Sequence, residues 1–363
     1  MESNGRETGR RAGRWLWRMV FCLGGVLTAF PSVYAQQDSP LSANFDLPVL
    51  SNPARAGIGG ETFYDYGSNH AFNLNYKSQM NGVFSNYAIR VLSASYNALL
   101  LDRTMSVGLD IYTNTLNNAA VSDLSMHFTY AYHWVVAKDA GGNPAHRLSF
   151  GLQAGFRRWA VNIDNLQTGG MYDPAYSGGL NPSLSPIDDF DTPSRTVFDI
   201  QAGVHYTGWV MPNLRVQGGL SGYHLNRGET GLGYVTSRTP IKFAVYGGVA
   251  WHDKDVPAPS ARRGNHFEIE SDLMASEVSG TVTFMNQGVY NVLEIAAMYR
   301  LYLCGDLAVG AGLAYRTLSQ ANVFSPILSA DINGFTLNIQ CDLNAGTGSG
   351  FTNIFAIGLG YRF

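Results

Sequence analysis

Charge is what this sequence has least of. Only 14% of its 363 residues are Asp, Glu, Lys or Arg, against about 25% in an ordinary soluble domain. Apolar character does not fill the deficit, because the mean hydropathy is −0.06. Beyond the N-terminal leader no run approaches the ~20 apolar residues of a membrane helix. A helical membrane protein is thereby excluded and a soluble domain disfavoured. Cysteine is also scarce: Cys304 and Cys341 are the two beyond residue 35, and their spacing carries no metal or redox signature. A disulfide between them and two separate buried or lipid-facing thiols both remain open.

The leader points to export. Arg6, Arg10, Arg11, Arg14 and Arg18 form a basic start, Leu16 to Phe30 is apolar apart from Arg18 and Thr28, and Val33-Tyr34-Ala35 sets small residues before Gln36. That is the layout of a cleavable secretory signal, placed at residues 1–35. Removing it takes five Arg and two Glu from totals of 24 basic and 27 acidic residues, leaving 19 and 25 and a net charge of −6. Such a balance excludes nucleic acid as a partner.

What is abundant is Gly, at 41, and aromatics, at 12%, and they fall in period-two segments. In 124-LSMHFTYAYHWV-135 one face reads Leu124, Met126, Phe128, Tyr130, Tyr132, Trp134, and the other Ser125, His127, Thr129, Ala131, His133. No helix keeps both faces over that length. Further segments of this kind lie at 70–77, 86–97, 104–113, 148–157, 198–206, 213–224, 243–251, 290–302, 307–315, 325–332, 335–343 and 353–363. Most match the 9–11 residues of a tilted membrane strand. Reading 266–286 as one long bulged strand gives fourteen, an even number that returns both ends of the barrel to one side. The fold class is therefore all-β: a transmembrane, antiparallel, up-and-down β-barrel over 70–363, ending on the aromatic Phe363. Gly305-Asp306 and Asn333-Gly334 read as tight turns on the periplasmic side. The Pro-, Gly- and Asp-rich stretch 160–196 reads as a long extracellular loop.

Residues 36–69 do not fit the strand pattern. Within 48-PVLSNPARAGIGG-60, Pro53 fixes its own φ and Gly57, Gly59 and Gly60 permit conformations that other residues avoid. The stretch reads as a periplasmic or plug segment in or beneath the barrel mouth.

The inward faces of the strands collect Asp110, His127, His133, Arg157, Asp199, His205, Arg215, Glu268, Glu270, Asp272, Glu294 and Arg300. Charge facing lipid costs about 2–4 kcal/mol for Arg or Lys at the midplane, so inward placement is expected on energetic grounds. Structural ion pairing across a narrow lumen and a charged constriction in a channel are the competing readings. His127 and His133 lie ~20 Å apart along a strand and share no metal. Ser125 and His127 are the residue types of a hydrolase, but same-face neighbours on a strand are common. No metal, cofactor or catalytic set is expected.

With leader, strands and turn in view, the chain resembles the PorP/SprF family of outer-membrane proteins tied to type IX secretion. The resemblance rests on a Gln- and Asp-containing start, 36-QQDSPLSANFDLP-48, and on an Asn-Pro-Ala-x-Ala-Gly motif at Asn52, Pro53, Ala54, Arg55, Ala56 and Gly57. The strand 310-GAGLAYR-316 is similar to the family's Gly-Leu-x-Tyr-Arg strand, whereas 338-NIQCDLN-344 departs from its usual Tyr-Ser-Tyr-Asp. The resemblance implies a non-catalytic barrel in the bacterial outer membrane. Its partners would be membrane lipid and type IX secretion components or secreted cargo, including gliding adhesins. A porin or small-solute transporter is the alternative, and an outer-membrane hydrolase the third reading.

Overall fold

The computed structural model describes residues 48–58, 69–79, 89–100, 103–116, 120–138, 144–162, 171–176, 181, 183–184, 193–230, 237–253, 275–304, 307–318, 321–344 and 354–363. Fourteen strands form one closed barrel. They are β1 (His70–Gln79), β2 (Ile89–Leu100), β3 (Met105–Leu116), β4 (Val121–Lys138), β5 (Pro144–Val161), β6 (Ser194–Met211) and β7 (Leu214–Tyr223). Then follow β8 (Lys242–His252), β9 (Ala275–Gln287), β10 (Tyr290–Cys304), β11 (Leu307–Leu318), β12 (Ala321–Ile332), β13 (Phe335–Asn344) and β14 (Ile354–Arg362). Each strand pairs antiparallel with its chain neighbours, and β1 closes on β14 from Ala71↔Arg362 to Ser78↔Phe355.

Every segment read from the alternation is a strand here, with differences at the ends. β2 runs 89–100 instead of 86–97, and β4, β5 and β6 reach 18 residues each. The segment 266–286 supplies β9 over 275–287, and Glu268, Glu270 and Asp272 lie outside the described residues, as does the Gly305-Asp306 turn. The Asn333-Gly334 turn has φ of 52° and 77°. Left-handed geometry at both central residues is that of a type I′ hairpin, whose twist matches the strands it joins. Pairing of β12 with β13 is interrupted at Ser325 and Pro326, where proline brings no N–H to the ladder.

The usual inside-out rule is inverted, as membrane insertion requires. On β4, Phe128 is 57% exposed and Thr129 beside it 0%. Outer faces of the strands carry Phe, Leu, Val, Tyr and Trp, and the buried polar residues line the interior. No helix among the described residues is long and apolar enough to cross a membrane; the strands do the crossing, with their backbone groups satisfied around the closed wall. His70 and Phe363 exchange backbone hydrogen bonds at 3.1 Å, so both ends of the barrel meet at one rim, here called the terminal rim.

Candidate functional site: the lumen and its N-terminal turn

Residues 48–58 lie against the inner wall of β2 to β8. Pro48–Ser51 make one helical turn and Pro53–Arg55 a 3-10 turn capped by Asn52, whose side chain accepts from the Ala54 N–H at 2.9 Å. Asn52 is extended, with φ −166° and ψ 119°, the conformation a residue before proline prefers. Its amide nitrogen donates to the carbonyls of Val204 (3.0 Å) and Leu220 (3.1 Å) on adjacent strands. Asn52, Ala54, Ala56 and Val49 are all fully buried.

The wall meets the segment at both ends. The Ser51 carbonyl accepts from Ser221 at 3.1 Å and from the Tyr223 hydroxyl. The Ala56 carbonyl accepts from Ser106 at 2.8 Å, and the Gly57 N–H donates to Asn97 at 3.0 Å. Gly57 has φ +74°, and a Cβ there would meet Ser106 Cβ at 2.8 Å. Arg55 donates to Ser51 Oγ at 2.9 Å and lies 5.6 Å from the Tyr246 ring centroid. Burial lowers its guanidinium below its usual value, and Tyr246 acts in the opposite sense.

Two wall glycines make the close approach possible. A side chain at Gly151 would collide with the backbone of Pro53 and Ala54, and one at Gly203 with the Asn52 amide and Pro53 Cδ. The Gly151 contacts are against backbone and those of Gly203 against a hydrogen-bonded amide and a fixed ring, so the seat has little freedom to give way.

Beside the seat, His133 joins two serines: Nε2 to Ser106 Oγ at 2.9 Å and Nδ1 to Ser149 Oγ at 2.8 Å. The single Ser106 proton goes to the Ala56 carbonyl, so Nε2 must be the donor to Ser106, and Nδ1 accepts from Ser149. In that tautomer His133 cannot take a proton from Ser106. The arrangement supports the turn and does not activate a nucleophile.

On the side of the seat away from the terminal rim lies a polar chain. Arg157 grips Asp123 through two bonds of 2.9 and 2.7 Å and donates to His224 at 3.2 Å. His224 and His127 each meet Asp199 at 2.9 Å, and Gln201 adds a third donor at 3.0 Å. Asp110 accepts from Thr129 at 3.2 Å and Gln153 at 2.9 Å. A cavity of about 60 Å³ opens between this chain and Leu50, with Tyr112, Tyr223 and Lys242 on its wall. Among the described residues no cluster of His, Cys, Asp and Glu could hold a metal ion.

The opposite half of the lumen holds a second network. Arg316 bonds Glu294 at 2.9 and 2.6 Å and lies 3.4 Å from Asp342, which also accepts from Ser325 and Gln340. Lys77 is within electrostatic reach of all three charged groups. Nearer the terminal rim, Arg300 lies 3.8 Å from Glu277 and His252 3.3 Å from the same carboxylate. His205 meets the Tyr246 hydroxyl at 2.6 Å, and Arg215 stacks 5.9 Å from the Trp209 ring centroid.

The described residues among those expected inside therefore fall into separate groups: His133 and His205 at the turn, His127, Arg157 and Asp199 in one chain, Asp110 beside it, Glu294 and Arg300 across the lumen. Asp123, His224, Lys77, Glu277, Arg316 and Asp342 are buried with them without having stood out in the sequence. Asp123 was within reach, because continuing the β4 alternation two residues past Ser125 places it inside. Glu277 was not: the inward faces of 266–272 were read on even positions, whereas β9 buries odd ones, Glu277 and Thr283 among them. Of the two late cysteines, Cys341 carries a free thiol.

The model of the type IX secretion system membrane protein PorP/SprF family matches residues 33–361. The chain belongs to the PorP/SprF family. Its place is accordingly the bacterial outer membrane. Among curated proteins none matches this family member in sequence. Solved structures similar to this PorP/SprF barrel include the Ralstonia pickettii toluene transporter TbuX, with 11% identity, TM-score 0.49, and 88% of this chain and 94% of that one covered. A Pseudomonas aeruginosa FadL homologue shares 10% identity at TM-score 0.45, with 88% and 94% covered. The Pseudomonas putida toluene transporter TodX shares 9% at TM-score 0.42, with 92% and 95% covered.

Proposed function

We propose that this barrel works in type IX secretion as a non-catalytic platform that binds secretion components or anchors cargo at the cell surface. Its lumen is held shut by its own N-terminal segment. The observation that carries this reading is the seating of Asn52, Pro53 and Ala54 in the wall between Gly151 and Gly203, mid-lumen, with hydrogen bonds at both ends of the turn. A wall shaped around a backbone segment is built to be filled. The inward charges support the same reading where they pair with one another, as Arg157 does with Asp123, Arg300 with Glu277, and Arg316 with Glu294 and Asp342. The domain plan proposed with it is a leader at 1–35, an N-terminal periplasmic or plug segment at 36–69 and the barrel at 70–363.

The test is isolation of the tagged chain from outer membranes in mild detergent, with identification of co-purifying proteins. Recovery of type IX components or exported cargo is the expected result. Recovery of the barrel alone, together with steady ion conductance in a planar bilayer, would instead support the porin reading, for which the small charged cavity beside Leu50 is the favouring feature.

A further inference from the structure

We propose that the inner wall formed by β3, β5, β6 and β7 is a peptide-binding site specific for an Asn-Pro-Ala turn, filled by the chain's own residues 52–56. The site reads the turn residue by residue. Asn is the small side chain that can accept from the Ala54 N–H through its oxygen while its nitrogen donates to the Val204 and Leu220 carbonyls; Asp lacks the donor and a hydroxyl cannot serve all three partners. Proline presets the turn and packs its Cδ against Gly203. Ala54 is fully buried, with its backbone so close to Gly151 that any side chain on the wall there would collide with it. Beyond the turn, Ser221 and Tyr223 donate to the carbonyl before it and Ser106 to the carbonyl after it.

All of these wall groups sit on strands paired with both neighbours. The site is therefore present whether or not the segment occupies it, and its ligand is defined by chemistry: a short peptide led by Asn-Pro-Ala, held here in cis. A tether of this kind supplies an effective concentration in the millimolar range. A free peptide must be offered at comparable concentration to compete. The inference is independent of which secretion component the barrel meets.

Trypsin at the Arg55-Ala56 bond reports occupancy, because that bond lies between buried Ala54 and Ala56 and opens to protease only when the turn leaves its seat. The full mature chain in proteoliposomes is compared with Asn52→Ala, which weakens the ligand, and Gly203→Val, which fills the site. A third variant, Ser221→Ala with Tyr223→Phe, removes donors without adding bulk; barrel integrity is followed by heat-dependent gel mobility. Cleavage after Arg55 is expected to rise about tenfold or more in each: Asn52→Ala loses three hydrogen bonds, Ser221→Ala with Tyr223→Phe loses two, and Gly203→Val puts a side chain where Asn52 and Pro53 sit. A labelled peptide of residues 48–58 is expected to bind Asn52→Ala saturably, to fail on Gly203→Val, and to fail everywhere when it carries the Asn52→Ala change itself. Cleavage equal to that of the parent in all variants, or peptide binding that ignores Gly203→Val, would overturn the proposal.

Discussion

The side-chain amide of Asn52 donates to the Val204 carbonyl at 3.0 Å, joining residues 152 positions apart in the chain. A second bond from the same nitrogen reaches Leu220 on the next strand. One side chain thus ties the N-terminal segment to two strands, and the segment docks only once β6 and β7 are side by side.

Replacing Asn52 by Asp is therefore expected to do more harm than replacing it by Ala. The carboxylate keeps the cap on Ala54 but turns an oxygen toward two carbonyl oxygens, at a fully buried position. Removing one partner of a buried hydrogen bond costs about 1–3 kcal/mol, more when charge is left behind. Hydrogen exchange of the Ala54 and Ala56 amides should accelerate in the order Asn52, Ala, Asp. The reverse order would mean that the amide nitrogen is not the group that holds the turn.

The buried network of Arg316, Glu294 and Asp342 yields a second expectation. Arg316→Met leaves two carboxylates facing Lys77 alone, and breaking a buried pair from one side costs about 3–5 kcal/mol. Glu294→Gln with Arg316→Met together should cost less than Arg316→Met alone, since one stranded charge is removed. Heat-dependent gel mobility of the folded barrel in detergent measures the order. Equal melting for single and double variants would show that the charges are already solvated in the lumen.

Much of this architecture was legible in residues and some of it was not, for identifiable reasons. The alternation in 124–135 announces its own strand because lipid on one side and lumen on the other impose opposite chemistry at every step. Pairing across strands carries no such local mark. Glu294 is opposite Arg316 only through the register of β10 on β11, and neither residue reveals the other in sequence. The N-terminal motif was visible as a turn, but its seat was not, because Gly151 and Gly203 look like any other glycines of a Gly-rich strand. Their role is defined by a backbone that arrives from about a hundred residues away or more.

The hairpin between β12 and β13 provides a local test of the wall. Gly334 has φ +77°, and a Cβ there would sit 2.7 Å from the Arg362 carbonyl. Gly334→Ala adds both left-handed strain and a collision with the β14 end, and should lower barrel stability by about 1 kcal/mol or more. Asn333→Gly, which keeps a permissive residue at the neighbouring position, should change it by less. A larger loss from Asn333→Gly than from Gly334→Ala would refute the type I′ assignment.

Depth along β4 can be read with arginine. Phe128 lies midway along the strand with its side chain on the outer face, and Val136 lies near the terminal rim on the same face. In a bilayer, Phe128→Arg should destabilise by about 2–4 kcal/mol and Val136→Arg by about 0–1 kcal/mol, because the penalty falls from midplane to interface. Unfolding from phospholipid vesicles by denaturant gives both values. In detergent micelles, which deform around a charge, the difference should shrink. If the two variants were equally stable in vesicles, the aromatic face of β4 would not be the one that meets the hydrocarbon, and the inward placement of His127 and His133 would lose its energetic reason.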